Sequence, residues 1–404
     1  MSANGGKQHQ PAGGGRGGGK KAGRYLVAVE QCNSYNPEKT YHALQKALLA
    51  IRFTATRGGK VLLKPNIIGQ NTPEQATTTH PGIVDALCRY FSDHGCSISV
   101  GDSSAFYQGG STREGMETSG IAAVARKYGA ALLPFETTRL RKITSGTCLD
   151  PFYVTEAVFS HDIVVNLPKL KVHRLARYTG AIKNMYGCIV GGSKQIYHKR
   201  FQHRENYQEL WGKPIVDVYE AVMPGLTVMD AVIGLDRDGP AGNGEPRFTG
   251  LLLASESGPA LDVVACRIIG IDPERVPAVR EAMERGLVSP DKIKVSGAIP
   301  SIPYVMLPDL KVATGIMGKA GDYIFDQFLV RPVINRKKCT RCDACIESCA
   351  VGAIRYDRER LPVVDPVRCI HCYCCESYCG EGAITLRGSA VNMVMRGVRR
   401  ILKL

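Results

Sequence analysis

The residues best suited to chemistry lie near the C-terminus, where nine of the 15 cysteines fall between Cys339 and Cys379. One spacing, C-x2-C-x2-C-x3-C, starts at Cys339 and occurs again from Cys369. A loop wrapped around a cubane cluster supplies three thiolates at such x2 intervals, as in bacterial ferredoxins. The repeated spacing predicts two [4Fe–4S] clusters.

The fourth cysteine of each repeat is expected to bind the cluster of the other repeat. The predicted ligands of one cluster are Cys339, Cys342, Cys345 and Cys379, and those of the other are Cys369, Cys372, Cys375 and Cys349. The proline that usually follows the fourth cysteine is replaced by Ala350 and Gly380, and Cys374 has no predicted role. Structural zinc is the alternative, but it would leave the third and fourth cysteine of each repeat unexplained.

A second group of polar residues follows the predicted strands of the preceding chain. Lys64 and Asn66 follow one strand, Asp102 and Ser103 the next, and Asp230 a later one. Open parallel sheets bind ligands beyond the carboxyl ends of their strands. These side chains are therefore expected to share one polar cleft, although each one alone also fits a helix cap or a turn.

The segment 166–192 is unusually basic and interleaves its cations with glycines. Such an arrangement suits a phosphate or carboxylate ligand, and a solvated basic face is the alternative. The residues expected to orient an anionic substrate are Lys169, Lys171, His173 and Lys183, with Lys64, Asn66, Asp102, Ser103, Asn184 and Asp230 completing the binding site. His173 or Lys183 is expected to donate the proton that accompanies reduction.

Alternating strands and helices position these groups. Short apolar runs predict strands at 25–29, 60–63, 98–100, 131–134, 163–167, 227–229 and 250–253. Amphipathic stretches predict helices at 37–51, 81–94, 114–128, 216–222 and 260–269. This alternation predicts an α/β domain with a mostly parallel sheet, joined to a small α+β ferredoxin-like two-cluster domain. The predicted loop at 234–244 is rich in Gly and Asp and fits either a metal site or a lid.

Composition and charge set the domain organisation. The chain has 404 residues, 44% of them hydrophobic, and a net charge of +15. We expect a disordered Gly-rich basic tail over 1–24, the α/β domain over 25–300, a linker over 301–333, the two-cluster domain over 334–388 and a basic amphipathic helix over 389–404. That helix fits either the protein's own surface or an acidic membrane surface. With neither an apolar leader nor an 18-residue apolar run, we expect a cytoplasmic protein.

Several stretches resemble the iron–sulfur branch of the domain-of-unknown-function family number 362. The stretches are Leu63–Asn66, Gly101–Ser103, Asn166–His173, Gly180–Gly187, Asp230–Gly234, Ala254–Ser255 and Ala260–Asp262. The resemblance covers roughly residues 25–300 and the cysteine repeats. It implies an α/β catalytic or binding domain joined to a ferredoxin module, and it names no substrate.

These observations predict an iron–sulfur oxidoreductase that passes electrons through two clusters to or from an anionic substrate. The alternative is a ferredoxin-like electron carrier whose α/β domain docks a partner redox enzyme. Arg336, Lys337, Lys338 and Arg341 are expected to steer an acidic partner of the ferredoxin or flavodoxin class, or a reductase. No nucleic-acid-binding module is evident, so a sensor role is a weaker alternative.

Overall fold

The computed structural model describes residues 24–104, 112–199, 207–237, 239, 244–305 and 330–388. Nearly all of the expected tail, the whole of the expected C-terminal helix and most of the expected linker lie outside these ranges. Among the described residues, no helix has both the length and the apolar character needed to cross a bilayer.

Twelve strands belong to the larger, N-terminal part of the described chain. They are β1 Tyr25–Gln31, β2 Lys60–Pro65, β3 Ser97–Asp102, β4 Ala131–Pro134, β5 Leu140–Ile143, β6 Phe152–Thr155, β7 Ile163–Leu167, β8 Lys169–His173, β9 Arg177–Thr179, β10 Leu226–Asp236, β11 Glu245–Ser255 and β12 Ile293–Ser296.

The helices of the same part cover the sheet and carry several polar residues. They are α1 Pro37–Ala50, α2 Pro81–Asp93, α3 Thr112–Thr118, α4 Ile121–Lys127, α5 Ala181–Asn184, α6 Ser193–Lys199, α7 Tyr207–Leu210, α8 Gly212–Ala221, α9 Gly258–Ile268 and α10 Pro277–Glu284. Short 3-10 turns cover Pro73–Gln75, Phe135–Thr137, Glu156–Val158, Met185–Cys188, Pro273–Arg275 and Pro290–Lys292.

The main sheet has the strand order β12-β1-β11-β10-β7-β2-β3-β4, and β8 and β9 extend it beside β10. The pairs β12–β1, β10–β7, β7–β2, β2–β3, β3–β4 and β8–β10 are parallel, whereas β11 is antiparallel to both its neighbours and β9 to β8. The α/β class and the mostly parallel sheet are therefore confirmed.

Apolar side chains cover both faces of this sheet. Successive strand residues point to opposite faces, and Leu62 and Leu63 accordingly enter two different core clusters. Leu252 and Leu253 alternate in the same way on β11. The sheet is thus buried on both sides, which leaves its carboxyl-end edge as the place where polar side chains gather.

The structure differs from the sequence-based expectation in three places. The helix expected over 114–128 is divided at Gly120, whose φ of +76° ends α3 and begins α4. Lys169–His173, which no predicted strand or helix covers, forms β8, because it pairs with β10 and β9. β10 continues to Asp236, inside the loop expected at 234–244, and the Asp236 carboxylate accepts hydrogen bonds from Arg247 and from the Val305 amide. Residues 238 and 240–243 of that expected loop lie outside the described residues.

The two cysteine repeats of the C-terminal module have similar secondary structure. Strands β13 Arg331–Ile334 and β16 Ile384–Arg387 pair antiparallel, as do β14 Ile354–Tyr356 and β15 Pro362–Val364. Two short helices, α11 Ala344–Glu347 and α12 Cys374–Ser377, occupy equivalent positions in the two cysteine repeats. Since β13 begins at Arg331, the module starts a few residues before position 334.

Candidate functional site

Lys64 and Asp102 are two buried charged residues on neighbouring strands. They lie at the centre of a group of polar side chains at the carboxyl edge of the main sheet, which we call the polar layer. Lys64 lies near the end of β2 and Asp102 at the end of β3, and β2 and β3 are adjacent and parallel. Lys64 Nζ lies 2.6 Å from Asp102 Oδ1, and both side chains are almost completely buried. Two of the predicted site residues therefore meet as an ion pair at the carboxyl edge of the sheet.

Asn184 extends this layer from the short helix α5. Its Nδ2 donates to Asn166 Oδ1 at 2.7 Å, and its Oδ1 lies 3.5 Å from Lys64 Nζ. Asp262 fixes the start of the helix, because its carboxylate accepts hydrogen bonds from the amides of Ala181 and Ile182 at 2.7 and 2.9 Å. Burial raises the pKa of Asp262 to about 6.

A second charged group surrounds Asp230 on β10. Lys169 Nζ lies 2.8 Å from Asp230 Oδ2, and the Tyr35 hydroxyl donates to Asp230 Oδ1 at 2.8 Å. The His80 ring stacks on Tyr35 with centroids 3.4 Å apart, and its backbone amide donates to Asp230. Burial lowers the pKa of His80 to about 4, so its ring is neutral at neutral pH.

Lys171 is a buried lysine with neutral partners. Its ammonium group donates to Asn66 Oδ1 and, at 2.8 Å, to the Thr77 carbonyl. Burial, together with the nearby Lys183, lowers its pKa well below the ordinary value. Within the described ranges no carboxylate forms an ion pair with it, so this part of the layer is deficient in negative charge.

Lys183 and Lys194 add two further cations beside the Lys64–Asp102 pair. The Lys183 ammonium has no hydrogen-bond or ion-pair partner among the residues that the structure describes. Burial, reinforced by Lys194, lowers its pKa to about 8. Lys194 donates to the carbonyl oxygens of Ser103 and Ser104, and burial likewise lowers its pKa to about 8.

Glu136 is a buried carboxylate in the same region. Its Oε1 accepts hydrogen bonds from Ser103 Oγ at 2.6 Å and Thr112 Oγ1 at 2.9 Å. Burial raises its pKa above the ordinary value. Ser103, a predicted site residue, thus connects Glu136 to the end of β3.

His173 uses one ring nitrogen within its own turn. Its Nδ1 accepts hydrogen bonds from the amides of Leu175 and Ala176 at 3.1 and 3.2 Å. This nitrogen is therefore already hydrogen-bonded to backbone amides. Lys169 and Lys171, which share one face of β8 with each other, reach the polar layer instead.

Tyr35, His80 and Glu136 are members of the layer that sequence reasoning missed. Tyr35 lies shortly after β1, His80 directly precedes α2, and Glu136 lies just after the end of β4. All three lie near the carboxyl end of a strand or the start of a helix, which is the same positional signal that selected Asp102. Their contacts with Asp230 and Ser103 depend on tertiary structure.

The cysteines of the C-terminal module line two cavities. Cavity I is lined by Cys339, Cys342, Cys345 and Cys379, together with the charged residues Arg341, Asp343 and Glu381 and neighbouring residues. Cavity II is lined by Cys349, Cys369, Cys372 and Cys375. Each cavity therefore takes three cysteines from one repeat and the fourth from the other.

The cysteine arrangement bears on which metal group these cavities fit. In a zinc site the sulfurs converge at about 2.3 Å from one ion. Among the described residues, no three His, Cys, Asp or Glu side chains are grouped to hold a single metal ion. The four cysteines that line each cavity therefore do not converge on the position of a single ion.

Cavity II lies against the α/β domain. The Gly192 amide donates to the His371 carbonyl at 2.9 Å, and Ser193 Oγ donates to the Ile370 carbonyl at 2.6 Å. The preceding residue, Gly191, donates its amide hydrogen to Ser103 Oγ at 3.0 Å. One loop thus connects the lining of cavity II to the polar layer.

Comparison with known proteins finds similarity over part of the chain. Residues 61–267 match the family described as Domain of unknown function (DUF362). A thylakoid-associated protein of Synechocystis is 31% identical over 230 residues, which cover 57% of this chain and 69% of that protein.

Among solved structures, the lactate racemase apoprotein from Thermoanaerobacterium thermosaccharolyticum aligns with a TM-score of 0.38 and 12% identity, covering 59% of this chain and 55% of that one. The chain thus spans little more than half of that structure. The match over residues 61–267 establishes that the chain belongs to the DUF362 family.

Proposed function

We propose that this protein is an iron–sulfur oxidoreductase that passes electrons through two [4Fe–4S] clusters to or from an anionic substrate held at the polar layer. The observation that carries this proposal is the pair of four-cysteine cavities, each completed by a cysteine from the other repeat. That crossed arrangement is the one used by two-cluster bacterial ferredoxins.

The cysteines of cavity I and of cavity II would each hold one cluster, and the clusters would supply one-electron transfer. Backbone amides also point at the sulfurs, since Ala353 donates to Cys349 Sγ at 3.1 Å and Ala383 to Cys379 Sγ at 3.2 Å. Hydrogen bonds of this kind stabilise cysteine thiolates, and they occur at the equivalent position of both repeats.

Lys183 is the residue best placed to bind the substrate. Its partner-deficient ammonium lies in a buried cationic region, where an anion would restore charge balance. A pKa of about 8 leaves the ammonium mostly protonated at neutral pH and still able to release its proton. Lys183 therefore orients an anionic group and donates a proton to it, while Lys171 and Asn184 fix the surroundings.

The remaining charges of the layer serve mainly as a scaffold. Lys64 and Lys169 are neutralised by Asp102 and Asp230, so their ammonium groups are already committed to internal ion pairs. The first pair joins the ends of β2 and β3, and the second joins the start of β8 to the middle of β10.

The first test is to measure iron and acid-labile sulfide per chain in anaerobically purified protein and to record EPR spectra after dithionite reduction. About eight iron atoms per chain and the spectrum of two interacting reduced cubanes are the expected result. Stoichiometric zinc with little iron, even after anaerobic reconstitution, would reject the proposal.

A non-catalytic electron carrier is the second candidate, because so much of the polar layer is internally paired. In that case the α/β domain would dock a redox enzyme and bind no small substrate. A thermal-shift screen of small anionic metabolites separates the two, since only the oxidoreductase should be stabilised in a Lys183-dependent manner. We place either activity in the cytoplasm; the thylakoid association belongs to the relative.

A further inference from the structure

We infer that cavity I is the docking point for an acidic redox protein, whereas cavity II serves the polar layer of the α/β domain. This inference rests on the proposed function and assigns different partners to the two cysteine sites. It follows from comparing equivalent positions of the two repeats, with Cys339 aligned to Cys369.

The repeats share one backbone conformation around their cysteines. Arg341 and Asp343 in the first repeat have φ values of +60° and +61°, and the equivalent His371 and Tyr373 have φ values of +56° and +65°. Gly352 and Gly382, another equivalent pair, have φ values of +60° and +56°. Differences between the repeats therefore lie in their side chains and surroundings.

The second repeat is covered by the α/β domain. His371, Tyr373 and Cys374 are buried, and the Cys374 thiol lies near the Thr138 carbonyl at 3.9 Å. Gly192 approaches Tyr373 so closely that a Cβ atom on the glycine would lie 2.5 Å from the tyrosine hydroxyl. This contact leaves no room for a second protein on this side of cavity II.

The first repeat has the opposite surroundings. Thr340, Arg341 and Cys342 are exposed, although Thr340 and Arg341 are equivalent to the covered residues Ile370 and His371. Cys342, a lining residue of cavity I, is an exposed cysteine, whereas its counterpart Cys372 is packed against the core of the α/β domain. Cavity I is thus the more accessible site for a large partner.

The two repeats also differ in the charged residues near their cavities. Arg336, Lys337, Lys338 and Arg341 precede or line cavity I, and their equivalents in the second repeat are Pro366, Val367, Arg368 and His371. Arg336 is held in ion pairs with Asp357 and Glu359. Lys337, Lys338 and Arg341 are exposed and form a cationic rim beside cavity I, and they outnumber the two carboxylates of its lining, Asp343 and Glu381.

A cationic rim at an exposed redox site favours a partner with an acidic surface, since charge complementarity steers association. The cluster that the cysteines of cavity I would hold would accept one electron from the reduced partner, and no bond would form or break and no proton would move. An acidic [2Fe–2S] ferredoxin has the required chemistry and is the probe that we would use.

The experiment compares two charge reversals in the iron-loaded protein. The double variant Lys337→Glu/Lys338→Glu reverses two of the three charges of the cationic rim, and Arg368→Glu makes the change at the position in the second repeat equivalent to Lys338. Ferredoxin affinity is measured at low and high salt, and reduction is followed by stopped flow with reduced ferredoxin or with dithionite.

The expected result is ferredoxin binding that weakens with salt and weakens by about tenfold or more in the double variant. Arg368→Glu should retain wild-type affinity, and iron content and reduction by dithionite should be unchanged in both variants. Equal effects of the two reversals, no effect of either, or no salt-dependent binding of ferredoxin would overturn the inference. Failure of the wild-type protein to bind iron would instead reject the proposed function.

Discussion

Gly191 packs so tightly against Cys372 that a Cβ atom on the glycine would lie 2.6 Å from the Cys372 carbonyl oxygen. The same glycine has a φ of +59° and donates its amide hydrogen to Ser103. A residue with a side chain would be strained by the backbone conformation and would also push the cysteine module away. Gly191 therefore makes the contact that joins cavity II to the polar layer.

We expect Gly191→Ala to loosen this contact. Hydrogen exchange of the Gly192 amide, which donates to the His371 carbonyl, should become at least about tenfold faster, because the strain favours local opening. Mass spectrometry of a peptide covering residues 191–193 measures this rate.

Gly352→Ala is the matched control. Gly352 has nearly the same φ, +60°, but a Cβ atom there would meet nothing within 4 Å. It should incur the left-handed conformational cost of about 1–2 kcal/mol without changing exchange at Gly192. Equal exchange at Gly192 in the wild-type protein and Gly191→Ala would show that the contact is not tight.

Lys183 gives a prediction about anion binding and pH. Sulfate, which keeps its charge throughout the neutral range, should raise the melting temperature of the wild-type protein most strongly below about pH 8. As pH rises through this value the Lys183 ammonium loses its proton, so the stabilisation by sulfate should decline. Differential scanning fluorimetry across this pH range measures the effect.

Lys183→Met should abolish this sulfate response, whereas replacing the exposed Lys46 should leave it intact. Without sulfate the Met variant should be the more stable protein near neutral pH, because burial lowers the pKa of Lys183 and its charged form opposes folding, by on the order of 1–3 kcal/mol. In the wild-type protein that cost is released as pH rises through about 8 and above. A sulfate response that survives in Lys183→Met would remove this residue from the anion site.

The sequence predicts the strands of the sheet and the residues at its polar edge better than it predicts which side chains and strands pair with one another. Apolar runs such as Ile163–Leu167 and Ala131–Pro134 coincide with the observed strands, and the strand-end rule brings Lys64 together with Asp102. Both predictions depend on local sequence patterns, because apolar runs form strands and the carboxyl ends of neighbouring parallel strands lie at the same edge of the sheet.

Tertiary contacts decide the remaining features. The alternating segment Lys169–His173 becomes β8 only because the distal part of β10 is available to pair with it. Tyr35 and His80 acquire their role from Asp230, which lies at least 150 residues away in sequence. No local pattern of residues encodes these partners.

The buried Lys169–Asp230 pair predicts strong coupling between two substitutions. Asp230→Asn leaves the Lys169 ammonium buried without its counter-ion, so we expect the free energy of unfolding to fall by about 3–5 kcal/mol. Lys169→Met combined with Asp230→Asn should cost clearly less than the sum of the single substitutions. Urea denaturation provides the four free energies of this cycle.

The exposed pair Arg89–Glu38 is the control for that cycle. Its side chains are 37% and 76% exposed, so Glu38→Gln should change stability by less than about 1 kcal/mol. Strict additivity at Lys169 and Asp230 would mean that the two charges do not stabilise one another.

The crossed cysteine sets lead to the sharpest prediction about the metal groups. Cys379 belongs to the second repeat by sequence but lines cavity I together with Cys342. Cys379→Ala and Cys342→Ala should therefore perturb the same half of the iron, each lowering the content from about eight towards four atoms per chain and leaving the same EPR signal. Cys349→Ala should instead remove the signal that those two variants retain, because Cys349 lines cavity II although it follows the first three cysteines of the first repeat.

Cys374→Ala is the internal control for these variants, because Cys374 is buried and lines neither cavity. It should keep the full iron content. If Cys379→Ala instead matched Cys372→Ala, each repeat would bind a cluster with its own four cysteines. Gly191 and Ser103 would then still lie beside the cluster of the second repeat. The two clusters, however, would no longer be joined through Cys349 and Cys379 as ligands supplied by the other repeat.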